Sequence, residues 1–361
     1  MKSEYDVIKI GGAGIAGLTV AINLAKAGYK VEIFDAAKDS GQRFNGDFQG
    51  IENWNYDQDG IDFLKDINID LNFYYKGFNK LSIWAPDKCH KDFGLSHSLY
   101  YLVKRGLEED SLDQGLKKQA IALGVEIFYN HPIKPENVDI VATGPFLNDP
   151  NIDAIVSGYT FKTNIENCHI GILNDDYALN GYSYFFVHNG QATIATCIFK
   201  NYKELGKYKE KTLKLCKQYK NFNMENVRKF SGTGNFFLPK IPKDKKIYIG
   251  EAGGFQDYLF GFGMRYAMKS GYYAARSIIE NKDFYKLCQN DLILKMKSAV
   301  INRLFFAILG NQAYKWFIKN YSDTNLFKFM RKLYNYSLFK KILFPIAVIV
   351  LRKNIKDPRN L

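Results

Sequence analysis

An α/β fold is what this sequence predicts: a doubly wound βαβ sheet, a second domain built on a mixed β-sheet, and a closing run of helices. Three observations predict it. The chain opens with a strand, a glycine turn, a helix and a second strand, all before residue 36. Two later strands, VDIVATG at 138–144 and KIYIGEAGG at 246–254, run into glycine turns of the same kind. From about 155 to 235 the pattern becomes β-rich, with segments such as YSYFFV and QATIATCIF, as expected of a sheet.

Taken in order, Tyr5 to Ile10 is a short β-rich run, Ile15 to Ala27 is helical, and Lys30 to Phe34 is a strand ending at Asp35. Lys9 breaks the pattern. A central parallel strand is apolar on both faces, so Lys9 must snorkel or find a partner. Residues 36–98 mix turn signals with aromatics. Val103 to Leu123 predicts a helix closed by Gly124, and VEIF at 125–128 a strand. A Lys-rich helix at 203–219 interrupts the β-rich region, Ala267 to Glu280 is helical, and the remainder is helical, basic and aromatic. The expected division is a nucleotide-binding domain from 1–75, 99–150 and 236–280, a substrate domain from 76–98 and 151–235, and a C-terminal helical region over 281–361.

At 361 residues and 47% hydrophobic composition the chain can build a sizeable core. Its five cysteines (Cys89, Cys168, Cys197, Cys216, Cys288) are widely spaced with no CxxC pair, and its five histidines never pair at helical metal-ligand spacing. Reduced thiols, structural histidines and no metal site are expected. The opening MKSEYDV lacks the apolar stretch of a signal peptide, which suits a cytoplasmic protein. The net charge of +13 is uneven: residues 281–361 hold sixteen Lys or Arg against four Asp, a net of +12.

The first glycine turn, Gly12-Ala13-Gly14-Ile15-Ala16-Gly17, is a GxGxxG fingerprint between a strand and a helix. In that setting Gly12 permits the tight turn, Gly14 lets a pyrophosphate approach the backbone, and Gly17 lets helix and strand pack closely. The helix start supplies free N–H groups and a positive dipole end for the phosphates. Asp35, 23 residues after Gly12, is placed to accept hydrogen bonds from an adenosine ribose, and its charge disfavours a 2′-phosphate. The fingerprint alone leaves NAD and FAD both open.

Together with Val138–Gly144 and the segment Gly250-Glu251-Ala252-Gly253-Gly254 followed by Gly261-Phe262-Gly263-Met264, the N-terminal unit resembles the flavoproteins of the p-hydroxybenzoate hydroxylase and geranylgeranyl reductase superfamily. The resemblance covers about 1–50, 100–150 and 235–280. It implies FAD as the cofactor, with Thr143 and Gly144 in the second turn and Glu251 where the family usually has an Asp that contacts a ribityl hydroxyl. It also implies that Gly254, Gly261, Gly263 and Met264 bring backbone N–H groups to the flavin ring, that Arg105 reaches the phosphate or ribityl region, and that Val125 makes a backbone contact to adenine. The phrase GFGMRYAMKSGYYAARSI resembles the reductase branch. That branch's Tyr-x-Trp-x-Phe-Pro signature keeps its spacing in Tyr182-Ser183-Tyr184-Phe185-Phe186-Val187, with Tyr184 replacing Trp and Val187 replacing Pro. Tyr182, Tyr184 and Phe186 are therefore candidate pocket residues. A flavin-halogenase signature, Trp-x-Trp-x-Ile-Pro, fits less well.

The resemblance implies an FAD-dependent oxidoreductase reducing C=C bonds of an isoprenoid or lipid-like substrate. The alternatives are a flavin monooxygenase of a small aromatic and a non-catalytic flavin-binding, membrane-associated protein. Only one GxGxxG unit is present, so NAD(P)H would act as a transient reductant or a protein electron carrier would replace it. No catalytic acid stands out. Residues 299–353 interleave aromatic or aliphatic clusters with Lys and Arg. Such a tail suits peripheral contact with the cytoplasmic membrane face, or else a helical cap with a solvated basic face. Nucleic acid is the weaker partner because no recognition motif accompanies the charge. The apolar run Ile342–Leu351 is ten residues long and contains Pro345, too short to span a bilayer as a helix.

Overall fold

A computed structural model describes residues 7–145, 153–234, 236–239 and 246–351. The expected strand start at Tyr5, the domain boundary at 150/151, and Arg352 and Lys353 of the tail lie outside the described residues. In chain order the elements are β1 (Ile8–Gly11), α1 (Ile15–Lys26), β2 (Val31–Phe34), β3 (Phe48–Glu52), α2 (Gly60–Asp66), β4 (Tyr75–Phe78), β5 (Lys80–Trp84), β6 (His90–Gly94), β7 (Tyr100–Lys104), α3 (Leu112–Ala122), β8 (Glu126–Phe128), β9 (Ile140–Val141), β10 (Ala154–Lys162), β11 (Cys168–Ile172), β12 (Tyr182–His188) and β13 (Gln191–Ile198). They continue with α4 (Leu205–Tyr219), β14 (Glu225–Gly234), β15 (Ile247–Tyr248), α5 (Met264–Ile279), α6 (Phe284–Cys288), α7 (Leu294–Leu309), α8 (Asn311–Asn320), α9 (Leu326–Tyr334) and α10 (Leu338–Val350).

The first sheet is parallel, in the order β15-β9-β1-β2-β8. Counting only its own strands, that is 5-4-1-2-3, the doubly wound order whose direction reverses between β1 and β9. Nucleotides bind at such a switch point, outside the carboxyl ends of the strands. Helix α1 is buried along Ile15 to Leu24 and packs between the sheet, α3 and α5. Lys9 snorkels: it stands level with Glu32, which is level with Glu126, on a part of the sheet open to water. Its Nζ lies 6.0 Å from the centre of the Phe34 ring.

The helix expected over 103–123 forms only in its second half: Val103 and Lys104 end β7, and 105–111 are a loop. Leu102 and Val103 are fully buried and pair with Gly50 and Gln49 of β3, and Gly106 turns the chain at φ 125°. The helix begins only at Leu112, after Ser111 caps it by accepting from the Gln114 N–H. A contiguous apolar run fits either structure, and here the cross-strand partners decide.

The segments 76–98 and 151–235 supply β5, β6 and β10 to β14, which form a seven-stranded mixed sheet in the order β14-β10-β13-β12-β11-β5-β6. One face of this sheet, carrying Phe161, Phe185, Val187 and Ile194, packs with Cys216 of α4 and with Phe222. The other face, with Tyr182, Tyr184 and Phe186, looks into a cavity. A small antiparallel sheet, β3-β7-β4, completes the strands. Most of the basic tail caps the core: Ala299, Ile301, Tyr314, Phe317, Met330 and Tyr334 are buried in one cluster with Phe48, Tyr100 and Phe236.

Candidate functional site

The predicted glycine turns meet at the carboxyl edge of the parallel sheet. A Cβ on Gly12, at φ 109°, would stand 2.3 Å from the carbonyl oxygen of Ala142, so the first turn presses on the second, Ala142–Gly144. A Cβ on Gly17 would stand 1.9 Å from the Gly12 carbonyl, which fixes how tightly α1 sits. A Cβ on Gly14 would meet nothing within 4 Å. Two glycines are thus demanded by the protein itself and the third faces open space, which is where a pyrophosphate fits. Ile15, Ala16 and Gly17 start α1 with no acidic residue in the first turn and no capping side chain, leaving N–H groups for an anion.

Asp35 follows β2 at the same edge. Its Oδ2 accepts from the Ala13 N–H at 2.5 Å and its Oδ1 from the Ala37 N–H at 2.7 Å. The carboxylate therefore braces the fingerprint, and each oxygen keeps a lone pair for a ribose hydroxyl. Thr143 and Gly144 follow β9, and Glu251 lies in the 3₁₀ turn Gly250–Gly253 after β15. Glu251 is forked to Arg43 at 3.2 and 3.5 Å. Glu251, Gly261, Gly263 and Met264 line the cavity, and Gly254 closes the turn before them. Gly263 stands at the start of α5.

Two expectations change. Arg105 is not on a helix: it follows β7, and its Nε and Nη2 each bond an oxygen of Asp113 at 2.8 Å. The pair is buried, with side-chain exposures of 7% and 1%. The guanidinium that was expected to reach the cofactor thus holds the 105–113 loop, and it meets the cavity wall through Gln49 at 3.3 Å and over the Phe44 ring at 4.0 Å. Val125 stands just before β8, and its N–H bonds the Ala120 carbonyl. That is the amino end of the strand, opposite the edge where Asp35 lies. Residues at the carboxyl end are Phe128 and Tyr129: the Phe128 carbonyl accepts from the Asp35 N–H at 2.9 Å, and Phe128 stacks on Phe34.

Arg43, Asp47, Gln49 and Trp54 also line the cavity, and the sequence reading passed over them. Arg43 and Glu251 are 208 residues apart, so nothing local announces their pairing. The cavity, about 610 Å³, separates the glycine edge from the seven-stranded sheet and is mostly apolar. Tyr182, Tyr184 and Phe186 form one wall, with Tyr184 and Phe186 stacked at 4.7 Å. Trp54 and Phe262 meet edge-to-face at 4.6 Å on another. Burial pushes the Tyr182 and Tyr184 phenols up, so both keep their protons. Tyr100, also in the wall, shares a hydrogen bond with Nδ1 of His169 at 2.5 Å, and burial pushes that imidazole down to about 3. Gln256 offers an unpartnered buried Oε1 in the wall. No group of three or more potential metal ligands occurs among the described residues.

Behind the cavity sits a buried polar cluster. Glu52 is fully buried with neither carboxyl oxygen hydrogen-bonded. Asp257 accepts from the N–H groups of Leu259 and Phe260 and from the Tyr334 hydroxyl. Burial pushes Glu52 up to about 8 and Asp257 up to about 6. A carboxyl whose folded value is raised binds its proton more tightly in the folded state. Its stabilisation is full below the ordinary value of 4.5 and is lost as pH rises to about 8. Glu52→Gln, which mimics the protonated acid, is expected to raise stability at pH 8 by roughly 2–3 kcal/mol and to change little at pH 4.5. Urea titrations at both pH values check this.

A family model for an NAD(P)-binding Rossmann-like domain matches residues 10–55. A geranylgeranyl bacteriochlorophyll reductase-like protein from Thermoplasma acidophilum superposes with a TM-score of 0.67 at 18% identity, covering 97% of this chain and 99% of that one. A flavoprotein/dehydrogenase from Cytophaga hutchinsonii gives 0.63 at 16%, covering 96% and 99%. The chain has the fold of these flavoproteins. The p-nitrophenol 4-monooxygenase of Pseudomonas putida shares it too, at a TM-score of 0.55 and 11% identity, covering 99% and 100%. No curated protein sequence matches the chain.

Proposed function

We propose that the protein is an FAD-dependent oxidoreductase that reduces C=C bonds of an isoprenoid or other lipid-like substrate. The observation that carries this reading is the mostly apolar, aromatic-walled cavity of about 610 Å³ that borders both the turn carrying Glu251 and the wall of Tyr182, Tyr184 and Phe186. A site of that size and lining suits an extended hydrocarbon held by apolar contact with few polar anchors. The two proteins with the higher TM-scores above, one of them named as geranylgeranyl bacteriochlorophyll reductase-like, support the reductase side of the superfamily.

When bound and reduced, FAD would supply a hydride to one alkene carbon, and the other would take a proton from a donor at the cavity wall or from water. The chain's own residues do the rest. Gly12 to Gly17 would cradle the pyrophosphate and Asp35 would hold the ribose. Arg43 fixes the Glu251 carboxylate, which would meet the sugar-alcohol chain. Gly263 and the first turn of α5 would present N–H groups toward the reduced ring, whereas the Gly261 N–H is taken by the Asp257 carbonyl at 2.9 Å. Trp54, Phe262 and Tyr184 keep water from the reacting carbon, while the tyrosines hold protons at the cavity wall. NAD(P)H or a carrier protein serves as reductant.

Anaerobic single turnover tests the reaction. Chemically reduced protein mixed with a polyprenyl alkene is expected to reoxidise without oxygen and to return a product two hydrogens heavier. Failure to reoxidise without oxygen, together with a hydroxylated product in air, would overturn the reductase in favour of a monooxygenase.

A further inference from the structure

Helix α10 leaves one apolar face uncovered. Leu338, Ile342, Ile346 and Ile349 are 76%, 66%, 52% and 65% exposed, and their spacing of four, four and three places them on a single stripe. Phe339 and Val350 flank it and are also exposed. The opposite face is engaged: Leu343, Phe344 and Ala347 pack into the core cluster that includes α7. An exposed stripe of this kind on one helix marks a binding surface.

The surroundings of the stripe select the occupant. On α9 the residues Lys328, Arg331 and Lys332 point outward, Arg331 meeting Asp57 at 2.9 Å. Lys341 is exposed on α10 itself. The chain has no acidic residue between Asp323 and Asp357. A second copy of the chain would bring the same positive charge, and one helix of thirteen residues, about 20 Å long, offers far less than the roughly 800 Å² per partner of a stable interface. No single helix among the described residues is long and apolar enough to cross a membrane, while α9 and α10 pass such a test together with a 61° bend between them. Spanning is blocked by packing, because Met330 and Leu333 of α9 wall the cavity and Leu326 and Tyr334 are buried.

We infer that α10 lies in the surface of an anionic lipid bilayer, its Leu338–Val350 stripe among the acyl chains and the lysines and arginine of α9 at the headgroups. The surface stands independently of the reaction proposed above. It also brings lipid close to the cavity, since α9 is wall on one side and is joined to α10 by residues 335–337 alone. The refinement over a diffuse basic tail is that α7, α8 and α9 form the cap while α10 meets the lipid.

The test is flotation of the full chain with vesicles of equimolar phosphatidylglycerol and phosphatidylcholine, against vesicles of phosphatidylcholine alone. The chain is expected to float with the anionic vesicles, less so as salt rises, and to stay behind with the neutral ones. The double variant Ile342→Asp, Ile346→Asp is expected to lose flotation by about tenfold or more with its melting temperature and flavin content unchanged. The inference is overturned if the full chain does not float with anionic vesicles, if the double variant floats equally, or if the full chain is a dimer that the double variant separates. A chain that floats but holds no flavin keeps this inference and removes the proposed reaction.

Discussion

Valine in place of Gly14 is expected to weaken FAD binding by about 100-fold or more, roughly 3 kcal/mol, while the protein still folds. The separation is possible because the three fingerprint glycines have different reasons to be glycine. Gly14 is at φ −80° and ψ 178°, extended backbone that valine adopts readily, and a Cβ there meets nothing within 4 Å. The new side chain fills the space that the pyrophosphate needs and nothing else. Gly17→Val is the control with the opposite result, since its Cβ would lie 1.9 Å from the Gly12 carbonyl and α1 would have to leave the sheet. Thermal melts with added FAD show the difference. FAD raises the midpoint of the wild-type chain by mass action, leaves that of Gly14→Val where it was, and finds little folded Gly17→Val to act on.

The second large effect is on stability. Arg105→Ala is expected to destabilise the fold by about 3–5 kcal/mol, because it strands Asp113 without its partner in the interior. Asp113 is 1% exposed and keeps only the Gly106 N–H, at 3.0 Å. Replacing both residues, Arg105→Met with Asp113→Leu, is expected to recover much of the loss, since a buried pair is worth little against apolar groups that fill its place. Urea titrations of the three variants measure this. FAD affinity measured on the folded double variant then separates the two roles considered for Arg105. Near wild-type binding fits a residue that holds its loop, whereas lost binding in a stable protein would return Arg105 to the cofactor.

How legible each part was follows from how local its cause is. The fingerprint is readable because Gly12, Gly14 and Gly17 answer to constraints within one turn, and the strand order then places the ATG turn and Glu251 on the same edge. Tyr182, Tyr184 and Phe186 are legible through the signature spacing that they resemble, and they share one face because a strand sends every second residue the same way. Arg43 is not legible, because its meaning comes from a carboxylate 208 residues away. Arg105 was misplaced because LVK reads equally well as helix or strand until β3 is laid beside it. Val125 falls at the amino end of β8, with its N–H taken by the Ala120 carbonyl, because the sequence shows the strand but not which of its ends lies beside Asp35. In the tail, only packing shows that Met330 and Leu333 face the cavity while Ile342 and Ile346 face outward.

The central claim is that the carboxyl edge of the parallel sheet holds FAD, and the visible spectrum of the purified chain tests it most directly. The chain as isolated, or after incubation with FAD and removal of the excess, is expected to show bound-flavin absorption at one flavin per chain, released on denaturation as FAD. A colourless protein that takes up no FAD on reconstitution, while remaining folded, would contradict it.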